Sequence, residues 1–332
     1  MKVAVYSAKK FERDCLTQSA GSRHDLVFLE NRLSPGETIL AEGCEAVCIF
    51  VNDDGSKNVV DRLARAGIKY LALRSAGFNH VDLKATEKAG LRVCRVPEYS
   101  PYAVAEHTVA LMLALNRKLI RAHTRIMDLN FSLDGLVGFD MHGKTAGIIG
   151  FGKIGRIVAQ IMHGFGCKIL GYDISRDERW ASSYNVTYTD IDDLCSQSDI
   201  ISLHVPLTDR TKYLIHTGRI EKMKKGVMLI NTSRGALVNT RDVIDGLKSG
   251  QIGYLGLDVY EEEKGLFFED HSHDILQDDV IARLLTFQNV LITSHQAFLT
   301  DTALQNIADT TMHNLDCFEK NLKCENELFA DS

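Results

Sequence analysis

The stretch "TAGIIGFGKIGRIVAQIMHGFGCKILGYD", residues 145–173, constrains this chain more than any other. An apolar run ends at Gly150. Gly152 and Gly155 complete the spacing G-x-G-x-x-G, an amphipathic segment follows, and a second apolar run closes on Asp173, eighteen residues beyond Gly155. The first glycine allows a tight turn, the second lets backbone approach a pyrophosphate, and the third permits close packing of helix on strand. The helix start offers unpaired N–H groups and a positive dipole end to the phosphates. Asp173 can accept hydrogen bonds from a ribose diol, and its charge disfavours a 2′-phosphate. With strand, helix and acid in register, the pattern predicts a dinucleotide site that prefers NAD to NADP.

A strand–helix rhythm surrounds this unit. In the N-terminal third, short apolar runs occur at 2–6, 25–30, 46–50, 69–75 and 91–96, separated by stretches of helical composition such as "SKNVVDRLARAG". A second series runs through 145–150, 168–173, 199–204, 226–233, 253–260 and 289–295. Alternation of this kind predicts an α/β protein with two doubly wound parallel sheets. Between the two series, Ser100 can cap and Pro101 can open a helix whose apolar run from Val104 reaches roughly Met127. Such a helix suits a bridge between domains, a subunit interface or a core position. The tail 301–318 reads as a further amphipathic helix.

Composition excludes several classes. The 332 residues carry a net charge of −6, which gives no electrostatic case for nucleic acid or an anionic membrane, and no run is long and apolar enough to span a bilayer. The start "MKVAVYSAKK" reads as a first strand and lacks the features of a signal peptide. Eight cysteines are scattered without a C-x-x-C pair. This predicts small buried hydrophobes in a reducing cytoplasm rather than metal ligands. His271 and His273 in "EDHSHD" read as a solvated acidic loop, and no metal is expected.

In an open α/β sheet, ligands bind beyond the carboxyl ends of the strands. Arg234, Asp258 and His295 each end an apolar run there, and His204 with Pro206 ends a fourth. A single arginine at a strand end is ordinarily a solvated rim residue. A cluster of polar residues on the cofactor side of one sheet instead reads as a site.

These residues carry a resemblance. The order G-x-G-x-x-G, "NTSRG", "LDVYE" and "SH" resembles the D-specific 2-hydroxyacid dehydrogenases over nearly the whole chain. The loops "CEAVCIFVNDDGS", "FSLDGLVGFDMHGKTAG", "LFFEDHSHDILQDDV" and "HQAFLT" are most similar to its fermentative NAD-dependent D-lactate branch. The resemblance implies a Rossmann-type NAD domain, 101–298, inserted into a flavodoxin-like substrate domain, 1–100 plus 299–332, with the active site between them. It implies reversible reduction of pyruvate to D-lactate by NADH, with Arg234, Glu263 and His295 as catalytic residues. A planar guanidinium at Arg234 can grip the carboxylate of a 2-keto acid through two donors. A protonated His295 can give its proton to the carbonyl oxygen, and Glu263 would orient the imidazole and favour its charged form.

The same resemblance implies that the substrate meets backbone N–H groups at Ala76 and Gly77, the Tyr99 hydroxyl, and a small apolar wall from Phe50 and Phe298. For the cofactor it adds Lys153, Ile154, Val205, Pro206, Thr211, Thr232, Ser233 and Asp258 to the glycines and Asp173. It implies a homodimer or homotetramer through residues 104–140. Two other functions share much of this pattern: a sister reductase of glyoxylate or hydroxypyruvate, and a non-enzymatic NADH sensor that binds protein partners. Phe50 and Phe298 favour a small apolar substrate group.

Overall fold

The computed structural model describes residues 1–331. Its strands, in chain order, are β1 (Lys2–Val5), β2 (Asp25–Phe28), β3 (Ala46–Ile49), β4 (Tyr70–Leu73), β5 (Arg92–Cys94), β6 (Thr145–Ile149), β7 (Lys168–Tyr172), β8 (Val186–Tyr188), β9 (Ile200–Leu203), β10 (Val227–Asn231), β11 (Ile252–Leu257), β12 (Val290–Ile292) and β13 (Glu327–Leu328). Two compact units result: Met1–Ser100 together with the chain from Leu299 onward, and Pro101–Phe298.

The first unit holds the sheet β13-β5-β4-β3-β1-β2, parallel except for the antiparallel β13 at its edge. Strands β2-β1-β3-β4-β5 follow the flavodoxin-like order, whose switch point lies between β1 and β3. Both faces are covered, and this is why the strands read as continuous apolar runs. Val3 and Val5 pack to one side with Cys48, Met312 and Phe318, while Ala4, Val47, Ile49 and Leu71 pack to the other with Val59 and Leu63. Cys48 and Cys94 are fully buried within these layers, and all eight thiols are unpaired.

The second unit holds the parallel sheet β12-β11-β10-β9-β6-β7-β8. Counted from β6, this is the order 3-2-1-4-5-6 of a dinucleotide-binding fold extended by one strand, with its switch point between β6 and β9. Strand β10 shows the two-sided burial directly: Val227 and Leu229 face one core cluster, Met228 and Ile230 the other.

The long apolar helix differs from its expected form. Lys118 adopts a left-handed conformation (φ 51°), so the run splits into helices Pro101–Arg117 and Leu119–Met127. The first helix buries Ala105, Val109, Met112 and Leu115 in the core of the second unit. The second buries nothing, and Ile120, Met127, Leu129, Phe131, Leu133 and Val137 are exposed at 61–82%. Among the described residues no helix is long and apolar enough to cross a membrane. The short edge strands β8 and β13 had no apolar run to announce them.

Candidate active site

The glycine turn joins β6 to the helix Lys153–Gly164. Gly150 sits at φ +99°, and a Cβ there would stand 2.4 Å from the His204 carbonyl oxygen on the neighbouring strand end. A Cβ on Gly155 would stand 1.9 Å from the Gly150 carbonyl oxygen, so only glycine lets the helix start this close to its strand. Gly152, the N-cap, differs from both: its Cβ would meet no atom within 4 Å. The turn is therefore tight at Gly150 and Gly155 and open at Gly152, with exposed Lys153 and half-buried Ile154 beside it. Asp173, just past β7, accepts from the Phe151 N–H at 2.6 Å and the Ser175 N–H at 2.8 Å. These bonds fix the carboxylate over the turn. Arg176 lays its guanidinium over the Tyr188 ring, 5.7 Å from its centroid.

Across the switch point, β9 ends at His204, Val205 and Pro206. His204 Nε2 lies 2.8 Å from the Ser202 hydroxyl, and its Nδ1 is buried without a hydrogen-bond partner among the described residues. Burial pushes this imidazole down to about 3, so it is neutral at physiological pH. Thr211 donates its hydroxyl to the Pro206 carbonyl at 2.6 Å and closes the loop that carries Val205 and Pro206.

Strand β10 runs into Thr232, Ser233 and Arg234. Asn231 ties this corner: its amide donates to the Arg234 carbonyl at 2.8 Å and its side-chain oxygen accepts from the Ser233 N–H at 3.0 Å. The Ser233 hydroxyl donates to the Leu203 carbonyl at 2.8 Å, and the buried Thr232 hydroxyl lies 2.8 Å from that of Thr108. Gly235 approaches the backbone of Tyr260 so closely that a Cβ would fall 2.0 Å from its carbonyl carbon. The half-buried Arg234 guanidinium, which donates to the Ser233 carbonyl at 2.7 Å, is thereby held beside the chain that follows β11.

That chain brings in Asp258 and Glu263. Asp258 is 1% exposed; one oxygen accepts from the Thr293 hydroxyl at 2.6 Å and the Gln296 N–H at 2.9 Å, the other from the Ala297 N–H at 2.9 Å. Its carbonyl accepts from the His295 N–H at 2.7 Å. Asp258 thus holds the turn on which His295 adopts a left-handed backbone (φ 50°), and His107 supports it through Thr293 at 3.1 Å. Sequence reasoning missed His107 and Thr293; nothing in their spacing marks a hydrogen bond between a helix and a strand end. Glu263 meets His295 Nδ1 with both oxygens, at 3.1 and 3.2 Å, and the two side chains are 19% and 17% exposed. Phe268 lies against the imidazole with ring centroids 5.8 Å apart, and Phe298 is buried just beyond. His271 pairs with Asp274 at 2.9 Å on the exposed loop between.

In the first unit, Phe50 follows β3, Ala76 and Gly77 follow β4, and Tyr99 follows β5, again at carboxyl ends. The Ala76 carbonyl accepts from Arg95 at 2.8 Å and the Gly77 carbonyl from the Ser75 hydroxyl at 2.7 Å. The Tyr99 carbonyl accepts from the Asn306 amide at 2.6 Å.

Comparison with known proteins identifies the family. Residues 109–297 match the family model of the D-isomer specific 2-hydroxyacid dehydrogenase NAD-binding domain. The chain is 51% identical to the D-lactate dehydrogenase of Escherichia coli, over 99% of this chain and 100% of that protein. The chain belongs to the D-isomer-specific 2-hydroxyacid dehydrogenases. It is an NAD-dependent oxidoreductase. Among solved structures of the family, the pyruvate reductase of Chlamydomonas reinhardtii superimposes with a TM-score of 0.94 at 44% identity, covering 98% of each chain. A D-lactate dehydrogenase from Aquifex aeolicus, complexed with NAD and lactic acid, gives 0.85 at 33% identity over 96% of each chain. The two mostly parallel sheets with interleaved helices are the fold of these dehydrogenases.

Proposed function

We propose that this dehydrogenase reduces pyruvate to D-lactate with NADH, reversibly. The observation that carries the reading is the Glu263–His295 pair, a half-buried carboxylate within hydrogen-bond distance of an imidazole, on the sheet edge that also bears Arg234 and the glycine turn. The names of the Escherichia coli and Chlamydomonas relatives support lactate and pyruvate as the reacting pair.

Arg234 binds the substrate carboxylate through two guanidinium donors, which sets the keto carbon in one orientation. His295 carries the proton. With Nδ1 held by Glu263, its Nε2 donates to the carbonyl oxygen as negative charge develops there, and in reverse it accepts the hydroxyl proton. Glu263 fixes the orientation and tautomer of the ring. NADH, when bound, supplies the hydride. Gly150, Gly152, Lys153, Ile154 and Gly155 would hold its pyrophosphate at the helix start, and Asp173 would take the ribose hydroxyls. Val205, Pro206, Thr211, Thr232, Ser233 and Asp258 line the remainder, with Asp258 acting through the His295 turn. Ala76, Gly77 and Tyr99 assist at the carboxylate, while Phe50 and Phe298 wall the methyl group.

The exposed apolar side chains from Ile120 to Val137 suit burial against a second copy, in a homodimer or homotetramer through the 104–140 region. Eight unpaired thiols suit a reducing cytoplasm.

The test is His295→Gln beside Glu263→Gln. Turnover should fall by about 10²–10⁴ for His295→Gln and less for Glu263→Gln, with NADH affinity unchanged. Loss of NADH binding in His295→Gln would mean that the histidine serves the fold.

A further inference from the structure

Asp53 and Arg74, both buried in the first unit, take no part in the chemistry above. Asp53 is 1% exposed and Arg74 is 2% exposed. Asp53 gathers three donors from three loops at the carboxyl ends of neighbouring strands. The Ser7 hydroxyl, after β1, and the Leu33 N–H, after β2, both donate to one oxygen at 2.7 Å. The Phe50 N–H, after β3, donates to the other at 2.6 Å. Burial pushes the Asp53 carboxyl up, against the lowering effect of the three donors, each of which finds a side-chain oxygen of Asp53 as acceptor.

Arg74, after β4, donates to both oxygens of the buried Glu12 at 3.0 Å, to the Tyr6 carbonyl at 2.9 Å and to the Cys48 carbonyl at 3.2 Å. Its guanidinium lies 5.6 Å from the centroid of the Phe50 ring. Phe50 is the residue that both side chains reach: Asp53 fixes its backbone and Arg74 lies against its ring.

We infer that Asp53 and Arg74 form a buried clamp that fixes Phe50, and through it the chain length of the 2-keto acid accepted. They are positioning residues, and the inference rests on the proposal that Phe50 walls the substrate's alkyl group. A neutral amide cannot replace the carboxylate. The oxygen of an asparagine would stay with the two donors Ser7 and Leu33, and its NH₂ would then confront the Phe50 N–H, donor against donor. Phe50 would be pushed off its place while Ser7 and Leu33 kept theirs.

The experiment compares kcat/KM for pyruvate and 2-ketobutyrate in the full chain carrying Phe50→Leu, Asp53→Asn or Ser7→Ala. The preference for pyruvate should fall about tenfold in Asp53→Asn, the lower end of what one methylene is worth in an apolar pocket. It should fall similarly in Phe50→Leu and less in Ser7→Ala, which removes one donor and leaves the other two. NADH affinity should stay constant throughout. Ser7→Ala carries the test alone if Asp53→Asn does not fold. A changed ratio in Phe50→Leu with unchanged ratios in the other two overturns the clamp and keeps the wall. An unchanged ratio in Phe50→Leu overturns the wall, and the clamp with it.

Discussion

Replacing Gly152 and Gly155 separately with alanine should divide cofactor binding from folding. Gly152 has ordinary extended backbone angles (φ −68°, ψ −168°), and its Cβ would meet no atom within 4 Å. Alanine there strains nothing and reduces the freedom of the unfolded chain, which stabilises by about 0.4–1 kcal/mol, or ~1–4 °C in melting temperature at this domain size. On the proposed cofactor assignment, the same methyl group stands where the pyrophosphate would meet the helix start. Stretching one charge-assisted hydrogen bond costs roughly 1.5–3 kcal/mol, which weakens NADH binding about 10–150-fold. Gly155→Ala should instead destabilise the fold. Its Cβ would lie 1.9 Å from a backbone carbonyl oxygen, so the helix must move. Overpacking of this kind costs about 1–3 kcal/mol, or roughly 2–12 °C. Thermal unfolding of the two variants without cofactor, beside NADH titrations followed by nucleotide fluorescence, separates the effects. A Gly152→Ala protein that binds NADH as tightly as the parent would refute the assignment of this turn to the pyrophosphate.

Arg234→Lys should raise KM for pyruvate about 10–100-fold, the loss of one of two charge-assisted bonds, with NADH affinity unchanged in the same titration. Near-parental kinetics would remove Arg234 from the site. His204 bears on acid stability. Its imidazole is held near 3 in the folded chain against 6.5 when free, so below about pH 6.5 the unfolded state binds one more proton and stability falls with pH. That contribution is fully present above pH 6.5. Denaturant unfolding of His204→Gln should therefore show a pH slope smaller by up to about 1.4 kcal/mol per unit between about pH 4 and 6. Equal slopes would mean that His204 is solvated.

The parts of this architecture that were legible in the sequence are those with a local cause. Strands buried on both faces read as apolar runs, so β6, β7, β9 and β10 lie within a residue or two of their expected limits. The glycine turn was legible because its glycines fall within six residues, two of them, Gly150 and Gly155, at positions where a Cβ would collide with backbone. Arg234, Asp258 and His295 stood out only as polar residues ending apolar strands. Glu263 could be joined to His295 by resemblance alone, since 32 residues separate them and no periodicity spans that loop. The break at Lys118 was invisible because a left-handed lysine leaves no compositional mark on an amphipathic run. Asp53 and Arg74 were missed for a related reason. A buried charge is recognised by its partners, and Ser7, Leu33 and Phe50 on loops and Glu12 on the helix Lys10–Ala20 are brought together only by the sheet order.

The central claim concerns the reaction, and initial rates of NADH oxidation test it most directly. Pyruvate should be run beside glyoxylate, hydroxypyruvate, 2-ketobutyrate and oxaloacetate, and the product then offered to a D-lactate-specific oxidising enzyme. Highest kcat/KM with pyruvate, and a product that this enzyme consumes completely, is the predicted result. Preference for another keto acid would contradict the substrate while keeping the roles of Arg234 and His295. Tight NADH binding without turnover of any of them would contradict the account as a whole.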